Sequence, residues 1–423
     1  MQNHQNDLNY HDILPDDVWK WNYVENVIRQ TMELYNFKEI RTSILQSQEL
    51  FKTYLNYFSE HDDLTNHLLF NLNEVNNLSL RPEGTITVLH SLLKNQINDI
   101  LSRLFYIGPM FRRKNMTQFF QFHQFGAEII GSNDLLTDNE IILLAIRIFK
   151  NLEIFNLTLE LSSFGCDKCR PEYLRHLNQF VNDHQSQFCN ECQYNIKLNP
   201  LQVFQCVDDK CKNISEQAPA IINHLCEDCS EHLKRLQRML SNLGVSYLIN
   251  PFIHSAFNYY NRTIFNFTLD HHGHKHILAN GGRYDMLAKS VTGKNLPAIG
   301  FSANLELIIK IMDEKRIFLK PKNEFRIVIA PMSDDLDLIV LQIVQGLHDN
   351  KVHTQILNYT GSFQSMQSLT DDYEADVIVY VTEDMIRQGK LLIKNNLKSH
   401  QEPIYIADLN DYVLRLKKAI SII

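Results

Sequence analysis

The eight cysteines are the residues whose spacing most directly suggests chemistry. They form four close pairs within one part of the 423-residue chain: Cys166 and Cys169, Cys189 and Cys192, Cys206 and Cys211, and Cys226 and Cys229. Two closely spaced thiolates can point into one tetrahedral metal site, and a second pair completes it. The pattern therefore predicts structural Zn²⁺ in this segment. The looser spacing of Cys206 and Cys211 leaves ordinary reduced thiols as the alternative.

A second set of polar side chains lies in the stretch 105–131, which reads FYIGPMFRRKNMTQFFQFHQFGAEIIG. An apolar strand leads to Arg112, a loop follows, and a return strand carries Gln124 and Glu128. Three further motifs carry polar groups: RPEGT at 81–85, YYNRTIF at 259–265 and GGRYD at 281–285. Because these motifs are far apart in the chain, only the fold can bring them together.

The elements that must position these residues include both helices and strands. A helical pattern begins at Pro15 and continues through Tyr35. Strand-like segments follow at KEIRTSIL, at LSLRPEGT and at LTLELSSF. Their order, with long stretches between strands, predicts an antiparallel sheet flanked by helices, which is an α+β arrangement. Beyond a linker at 320–323, strands and helices alternate as in a small α/β domain.

The cysteine-containing segment interrupts this pattern and defines the predicted domain organisation. Residues 165–235 carry every cysteine and several helical segments, so we interpret them as an inserted module. The core would span residues 1–322 with this module inside it, and residues 323–423 would form the second domain. A chain of this length is sufficient for two or three domains.

Taken in order, RPEGT, FHQFGAE, YYNRTIF and GGRYD resemble the motifs of the histidyl-tRNA synthetase family, which belongs to the class II aminoacyl-tRNA synthetases. The resemblance covers essentially the whole chain. It implies a class II synthetase-type antiparallel sheet flanked by helices, a helical insertion, and a C-terminal α/β domain like an anticodon-binding domain. It also implies a homodimer whose interface includes residues of the segment 16–60.

The resemblance further implies a histidine-binding site. The matching residues are Glu83, Thr85, Arg112, Gln124, Glu128, Tyr259, Tyr260 and Tyr284. Their chemistry suits an amino acid with an imidazole, because carboxylates and an amide can hold the ammonium and an arginine can hold the carboxylate. A carboxylate with a tyrosine hydroxyl can satisfy both ring nitrogens. The alternative is a buried polar network that persists because dismantling half of it would be costly.

Three positions depart from the family's pattern where ATP chemistry is expected. Gln118 replaces a phosphate-binding arginine in the loop, Ser255 stands at the position of a catalytic arginine, and Leu307 stands at that of an ATP-binding arginine. Removing one donor to a charged transition state typically costs about 3 kcal/mol, or roughly 100-fold in rate. The three replacements therefore predict that catalysis is lost.

From these replacements we favour a catalytically degenerate, non-catalytic paralogue that binds histidine and acts through a protein partner. It would be akin to the regulatory subunit of ATP phosphoribosyltransferase, with that enzyme's catalytic subunit as a candidate partner in histidine biosynthesis. The alternative is a divergent but active histidine–tRNA ligase, which would use ATP and Mg²⁺ to charge tRNA-His. The missing arginines are the feature that separates the two hypotheses.

Charge and hydropathy bear on partners and location. The net charge is −8, and the segment between Lys351 and Arg387 holds six acidic residues without a Lys or Arg. Phosphate binding depends on the number of cations, so tRNA binding is doubtful on this basis. No apolar run is long enough to span a membrane, and the N-terminus has no signal-peptide pattern. A cytoplasmic location without membrane contact is therefore expected.

Overall fold

The structure is a computed structural model that describes residues 8–9, 12–55, 69–73, 77–96, 101–113, 119–198, 200–206, 208–253, 259–318, 325–358, 362–371, 373 and 375–421. The chain divides into two compact units, Met1–Phe318 and Leu319–Ile423. Gln118 and Ser255, at which losses of catalytic groups are predicted, lie outside the described residues. Among the helices that are described, none is both long and apolar enough to cross a bilayer.

A large antiparallel sheet dominates the first unit. The strands of this unit are β1 (Leu8–Asn9), β2 (Lys38–Glu39), β3 (Leu45–Ser47), β4 (Phe70–Asn73), β5 (Leu78–Leu80), β6 (Ser102–Arg113), β7 (Phe119–Ile130), β8 (Thr158–Ser163), β9 (Leu248–Ile249), β10 (Asn261–His271), β11 (His274–Arg283) and β12 (Ala298–Asn304). The central order β6-β7-β12-β11-β10-β8 is antiparallel throughout, and β2, β1 and β9 add parallel pairs to β6, β7 and β8. A separate antiparallel sheet has the order β3-β5-β4. The predicted α+β fold is confirmed.

Helices cover both faces of the large sheet. They are α1 (Pro15–Leu34), α2 (Gln48–Leu55), α3 (Thr85–Lys94), α4 (Leu135–Asn151), α5 (Arg170–Asp183), α6 (Asn190–Leu198), α7 (Asp209–Ser215), α8 (Glu227–Asn242), α9 (Asp285–Thr292) and α10 (Leu305–Glu314). One apolar core contains buried residues of α1, α4, α8 and α10. The other core contains residues of α3, α9 and the cysteine segment. Each sheet face therefore has its own apolar core.

The alternation of side chains along the strands decides which residues face the site. Phe125 and Ile129 of β7 pack into the core that contains α1. Because successive side chains of a strand point to opposite faces, Gln124 and Glu128 point to the other one. The pairing of Gly108 with Gln124 places the even-numbered residues of β6 on that same face. Arg112, Gln124 and Glu128 therefore lie on the same sheet face as the apolar core that contains α3.

The second unit has an α/β arrangement. Its strands are β13 (Arg326–Pro331), β14 (His353–Ile356), β15 (Val377–Val381), β16 (Lys390–Asn395) and β17 (His400–Tyr405), and its helices are α11 (Asp337–Asp349), α12 (Phe363–Asp371), α13 (Glu383–Arg387) and α14 (Leu409–Ser421). The sheet order is β14-β13-β15-β16-β17, with parallel pairs among the first three strands and antiparallel pairs after them. The helical connections permit the parallel pairs, because such a crossover needs a long segment.

Candidate functional site

The start of α3 brings the RPEGT motif against the large sheet. The Glu83 carboxylate accepts hydrogen bonds from the backbone N–H groups of Thr85 at 2.8 Å and Ile86 at 2.7 Å. These bonds satisfy N–H groups that the first turn of a helix leaves without partners. Gly84 lies so close to Tyr106 that an added Cβ would be 2.0 Å from its ring. A glycine at this position is what allows the helix start to approach β6.

Glu128 links three parts of the predicted site. Its Oε1 accepts a hydrogen bond from the Thr85 hydroxyl at 2.8 Å, and its Oε2 accepts one from the Tyr284 hydroxyl at 2.5 Å. The side chain is completely buried, and burial raises the pKa of Glu128 to about 8, although both hydrogen bonds lower it. A carboxyl group with this pKa changes its charge near neutral pH. It can therefore form a hydrogen bond with an imidazole ring, whose own pKa also lies near neutral pH.

Gln124 and Tyr106 form the floor of the site. The Gln124 side-chain oxygen accepts hydrogen bonds from the Gly84 N–H and the Tyr106 hydroxyl, each at 3.2 Å. Tyr106 lies across Gly126, where a Cβ would be 2.5 Å from the hydroxyl oxygen. The sequence-based prediction did not include Tyr106. The available signal was strand alternation, which puts Tyr106 on the same face as Arg112.

Arg112 supplies the cation of the predicted set. Its Nε donates a hydrogen bond to the Pro82 carbonyl oxygen at 2.8 Å, and its guanidinium carbon lies 4.8 Å from the centroid of the Phe122 ring. Burial lowers the pKa of Arg112, while the charge of Glu83 raises it. Because a guanidinium keeps its proton in proteins, Arg112 can hold a carboxylate within this buried region.

Three tyrosines form an aromatic wall beside Glu128. The ring centroid of Tyr259 lies 4.8 Å from that of Tyr260 and 6.2 Å from that of Tyr284. Burial raises the pKa of all three phenols, so their hydroxyls stay protonated at neutral pH. The structure thus brings all eight residues of the predicted site together. Their role in histidine binding stays a prediction.

Leu307 and its neighbours Asn304 and Glu306 make contacts that stabilise the start of α10. Asn304 caps α10, because its side-chain oxygen accepts a hydrogen bond from the Leu307 N–H at 2.8 Å. The Leu307 side chain packs against the core that contains α1. The neighbouring Glu306 carboxylate accepts hydrogen bonds from the His123 N–H at 2.7 and 2.9 Å and lies 2.9 Å from Nδ1 of that histidine. Leu307 itself offers no charge to a phosphate.

A buried ion pair anchors the strand that leads to Tyr284. Arg283 Nη2 lies 2.5 Å from an Asp138 carboxylate oxygen, and both side chains are completely buried. Asp138 also accepts a hydrogen bond from the Thr263 hydroxyl at 2.6 Å. This pair joins the end of β11 to α4 and so holds the backbone next to Tyr284. The sequence-based prediction did not identify it.

The cysteines form two clusters that combine different pairs. The outer cysteine cluster consists of Cys166, Cys169, Cys226 and Cys229, and the inner cysteine cluster consists of Cys189, Cys192, Cys206 and Cys211. Within each cluster all four sulfur atoms lie within 4.8 Å of one another. Each pair lies at the start of a helix, namely α5, α6, α7 or α8. Backbone N–H groups at these helix starts lower the pKa of the Cys189 and Cys226 thiols, whereas burial raises the pKa of Cys166, Cys192, Cys211 and Cys229.

The sulfur spacing fits a four-coordinate metal. Cys166 Sγ lies 3.8 Å from the sulfurs of Cys169 and Cys226, and Cys189 Sγ lies 3.9 Å from that of Cys206. A tetrahedron with Zn–S bonds of about 2.3 Å has sulfur–sulfur edges of about 3.8 Å. The two clusters are therefore built at the dimensions of four-cysteine metal sites, and their donor set suits a soft metal ion.

A mainly antiparallel sheet that carries a motif arginine and a buried polar site is the arrangement of the class II aminoacyl-tRNA synthetases. Comparison with known proteins makes the assignment specific. The family model described as Histidyl-tRNA synthetase matches residues 9–168 and 197–308. A protein named Histidine--tRNA ligase from Thermodesulfovibrio yellowstonii is 32% identical over 410 residues, which cover 96% of each chain. The chain belongs to the histidyl-tRNA synthetase family.

Solved structures agree with this assignment. The apo histidyl-tRNA synthetase of S. aureus is 26% identical, with a TM-score of 0.75, and the alignment covers 96% of this chain and 98% of that one. A Bacillus halodurans protein described as an ATP phosphoribosyltransferase regulatory subunit/histidyl-tRNA synthetase has a TM-score of 0.62. It is 17% identical, covering 89% of this chain and 98% of that one, and so shows the fold alone.

These comparisons correct the predicted function. The hypothesis of a non-catalytic regulatory protein is wrong, because full-length relatives that are 32% and 31% identical are named histidine–tRNA ligases. Likeness to a regulatory subunit exists in fold alone. The doubt about tRNA binding, drawn from the acidic segment, finds no support either. The prediction gave the three replaced arginines more weight than the resemblance along the whole chain.

Proposed function

We propose that this protein is a histidine–tRNA ligase, which activates histidine with ATP and transfers it to tRNA-His. The buried polar site around Glu128 is the observation that carries the proposal. Arg112 would hold the substrate carboxylate, and Glu83 would hold the ammonium, because each of its oxygens accepts one backbone hydrogen bond and can accept another. Gln124 would contribute to the ammonium site by exchanging one of its two present hydrogen bonds for one from the substrate. Glu128 and a tyrosine hydroxyl would bind the two ring nitrogens.

The activation step sets the demand on this site. A carboxylate oxygen of histidine forms a bond to the α-phosphorus of ATP, while the bond from that phosphorus to pyrophosphate breaks. Mg²⁺ would arrive with ATP as part of the co-substrate. Arg112 can hold the attacking carboxylate, but Leu307 packs into a core and provides no cation. We therefore expect activation to be slower than in relatives that carry an arginine at this position.

Histidine-dependent exchange of labelled pyrophosphate into ATP tests the proposal. The full chain should support exchange only when histidine is present, and it should charge tRNA-His in the same buffer. Calorimetric titration with histidine should show binding without ATP. If histidine binds but no exchange occurs above the rate without protein, the ligase proposal is refuted.

We propose that the protein is a homodimer with the segment 16–60 at its interface. Large apolar side chains along this region are exposed, including Leu34 at 78% and Leu45 at 48% of their surface. Exposed apolar patches commonly mark sites of association. Sedimentation should therefore show a dimer at micromolar concentration, and a monomer would contradict the proposal.

We propose that tRNA contacts of the second unit come from the region of β16. Lys390 and Lys394 lie on this strand, and the Lys390 ammonium lies 5.0 Å from the centroid of the Tyr405 ring. Lysine with a neighbouring aromatic ring suits phosphate binding and base stacking. Replacing both lysines by Ala should weaken tRNA binding and reduce its salt dependence, whereas unchanged binding would place the contact elsewhere.

We also propose Zn²⁺ as the metal of both cysteine clusters. In this proposal the clusters belong to an inserted module at 165–235, which interrupts a core spanning 1–322, and a second domain follows at 323–423. Four thiolates at tetrahedral spacing suit Zn²⁺ or iron, and Zn²⁺ requires no redox chemistry. Elemental analysis of protein purified without chelators should find zinc. Less than about a tenth of an equivalent, with the module still folded, would mean ordinary thiols.

A further inference from the structure

The outer cysteine cluster joins the two ends of the cysteine segment. Cys166 and Cys169 follow β8 closely, whereas Cys226 and Cys229 lie at the start of α8, after the three α-helices α5, α6 and α7. A metal ion bound there closes a long loop and places the starts of α5 and α8 side by side. The inner cysteine cluster lies entirely between these two ends of the segment. The two clusters therefore constrain different parts of the chain.

The outer cysteine cluster is adjacent to a contact with the proposed histidine site. Arg170 directly follows Cys169, and its Nη1 donates a hydrogen bond to the Tyr260 carbonyl oxygen at 3.0 Å. Tyr260 belongs to the aromatic wall beside Glu128, and Tyr260 itself is buried. Arg170 is therefore both the chain neighbour of the proposed metal ligand Cys169 and a hydrogen-bond donor to the backbone of Tyr260.

The backbone reinforces this link. The Arg262 N–H donates to the Gly165 carbonyl at 2.7 Å, and the Phe164 N–H donates to the Arg262 carbonyl at 2.7 Å. Arg262 has a φ of 52° and lies at an irregularity of β10, a type of feature that often occurs next to active sites. Gly165 has a φ of 64°, and a Cβ on it would be 2.6 Å from Cys169 Sγ. The turn before the cluster is thus packed against both a cysteine sulfur and the start of β10.

We propose that metal binding in the outer cysteine cluster controls the histidine site by holding Arg170 against the Tyr260 carbonyl, whereas metal in the inner cysteine cluster only stabilises the cysteine segment. This inference rests on the proposed histidine binding. When the outer metal is absent, the start of α5 is no longer tied to the start of α8, and Arg170 is less well held. The carbonyl of Tyr260 then loses a charged donor, and the aromatic wall is less ordered.

Matched double variants of the full chain test the difference between clusters. Cys226→Ser with Cys229→Ser removes two outer ligands, and Cys206→Ser with Cys211→Ser removes two inner ligands. Elemental analysis should find two zinc ions in the parent protein and one in each variant. The outer variant should bind histidine about 10-fold more weakly or worse, as expected for loss of a charged hydrogen bond, while the inner variant should stay within about threefold. Equal affinities of the two variants would overturn the inference.

Arg170 variants separate positioning from simple folding. Arg170→Met should keep both zinc ions yet weaken histidine binding as much as the outer variant does, and Arg170→Lys should restore part of the affinity. Parent-like binding by Arg170→Met would overturn the inference. Hydrogen exchange of the backbone at 259–264 gives a readout that does not need histidine, and it should rise in the outer variant and in Arg170→Met but not in the inner variant. If the parent protein binds no histidine, the proposed function fails, and this exchange pattern still decides whether the metal holds the site.

Discussion

The hydrogen bond between Tyr284 and Glu128 provides the sharpest test of the site. Tyr284→Phe removes the hydroxyl that donates to Glu128 Oε2 at 2.5 Å and keeps the ring that packs against Tyr259. A hydrogen bond to a charged group contributes about 1.5–3 kcal/mol. At about 1.4 kcal/mol for each factor of ten, histidine affinity should fall roughly 10- to 150-fold.

The pH dependence of binding gives this prediction a second, independent readout. The pKa of Glu128 is about 8 in the protein without ligand, and the Tyr284 hydroxyl is one of the groups that lower it. Removing the hydroxyl should therefore raise this pKa further and leave less carboxylate to accept a hydrogen bond from the imidazole N–H. Affinity should increase with pH in the parent protein, and the increase should move to higher pH in the variant.

Isothermal titration with histidine between pH 6.5 and 8.5 measures both effects. Tyr380→Phe is a matched control, because the Tyr380 hydroxyl lies 2.9 Å from the Thr370 hydroxyl in the second unit and its side chain is also buried. The control should bind histidine like the parent. If Tyr284→Phe also binds histidine like the parent at every pH, Glu128 is not the group that forms a hydrogen bond with the imidazole ring of histidine.

Three further predictions concern stability and rate. The pKa of Glu128 is about 8 in the folded protein and 4.5 ordinarily, so its contribution to stability is complete below pH 4.5 and is lost as the pH rises to about 8. The free energy of unfolding, measured with urea, should therefore fall between pH 5.5 and 7.5, and Glu128→Gln should reduce this fall by up to about 1.4 kcal/mol per pH unit. An unchanged slope would contradict this prediction. Arg283→Met removes the ion-pair partner of the buried Asp138 and should lower the free energy of unfolding by about 3–5 kcal/mol. As the control, Arg238→Met removes a cation from an exposed ion pair and should change the free energy of unfolding little. Equal effects of the two variants would argue against the buried pair as an anchor. Leu307→Arg should raise the rate of pyrophosphate exchange by up to roughly 100-fold at unchanged histidine affinity, with Leu307→Met as the control, and no increase would mean that this position does not reach the phosphate.

Strand alternation explains how much of the site the sequence could predict. Gln124 and Glu128 are four residues apart on β7, so their common face follows from the period of a strand. The resemblance to the family put Glu83 and Thr85 in the same predicted site, and the Thr85 hydroxyl lies 2.8 Å from Glu128 Oε1. The sequence did not predict that the Glu83 carboxylate accepts hydrogen bonds from two backbone N–H groups at the start of α3. It also did not predict that Tyr106 packs against both Gly84 and Gly126. Those contacts depend on the approach of a helix to a sheet.

The sequence by itself determined the family, the α+β class and the set of groups available for chemistry, because motifs and periodicity are local properties of the chain. It also indicated metal binding, since closely spaced thiols are a local pattern. Four cysteine pairs can combine into two tetrahedral sites in three ways, and tertiary structure alone decided that the first pair joins the fourth. Burial of Glu128, and with it a pKa near 8, was likewise decided by packing. Desolvation arises from neighbours that are distant in the chain, and no local pattern contains that information.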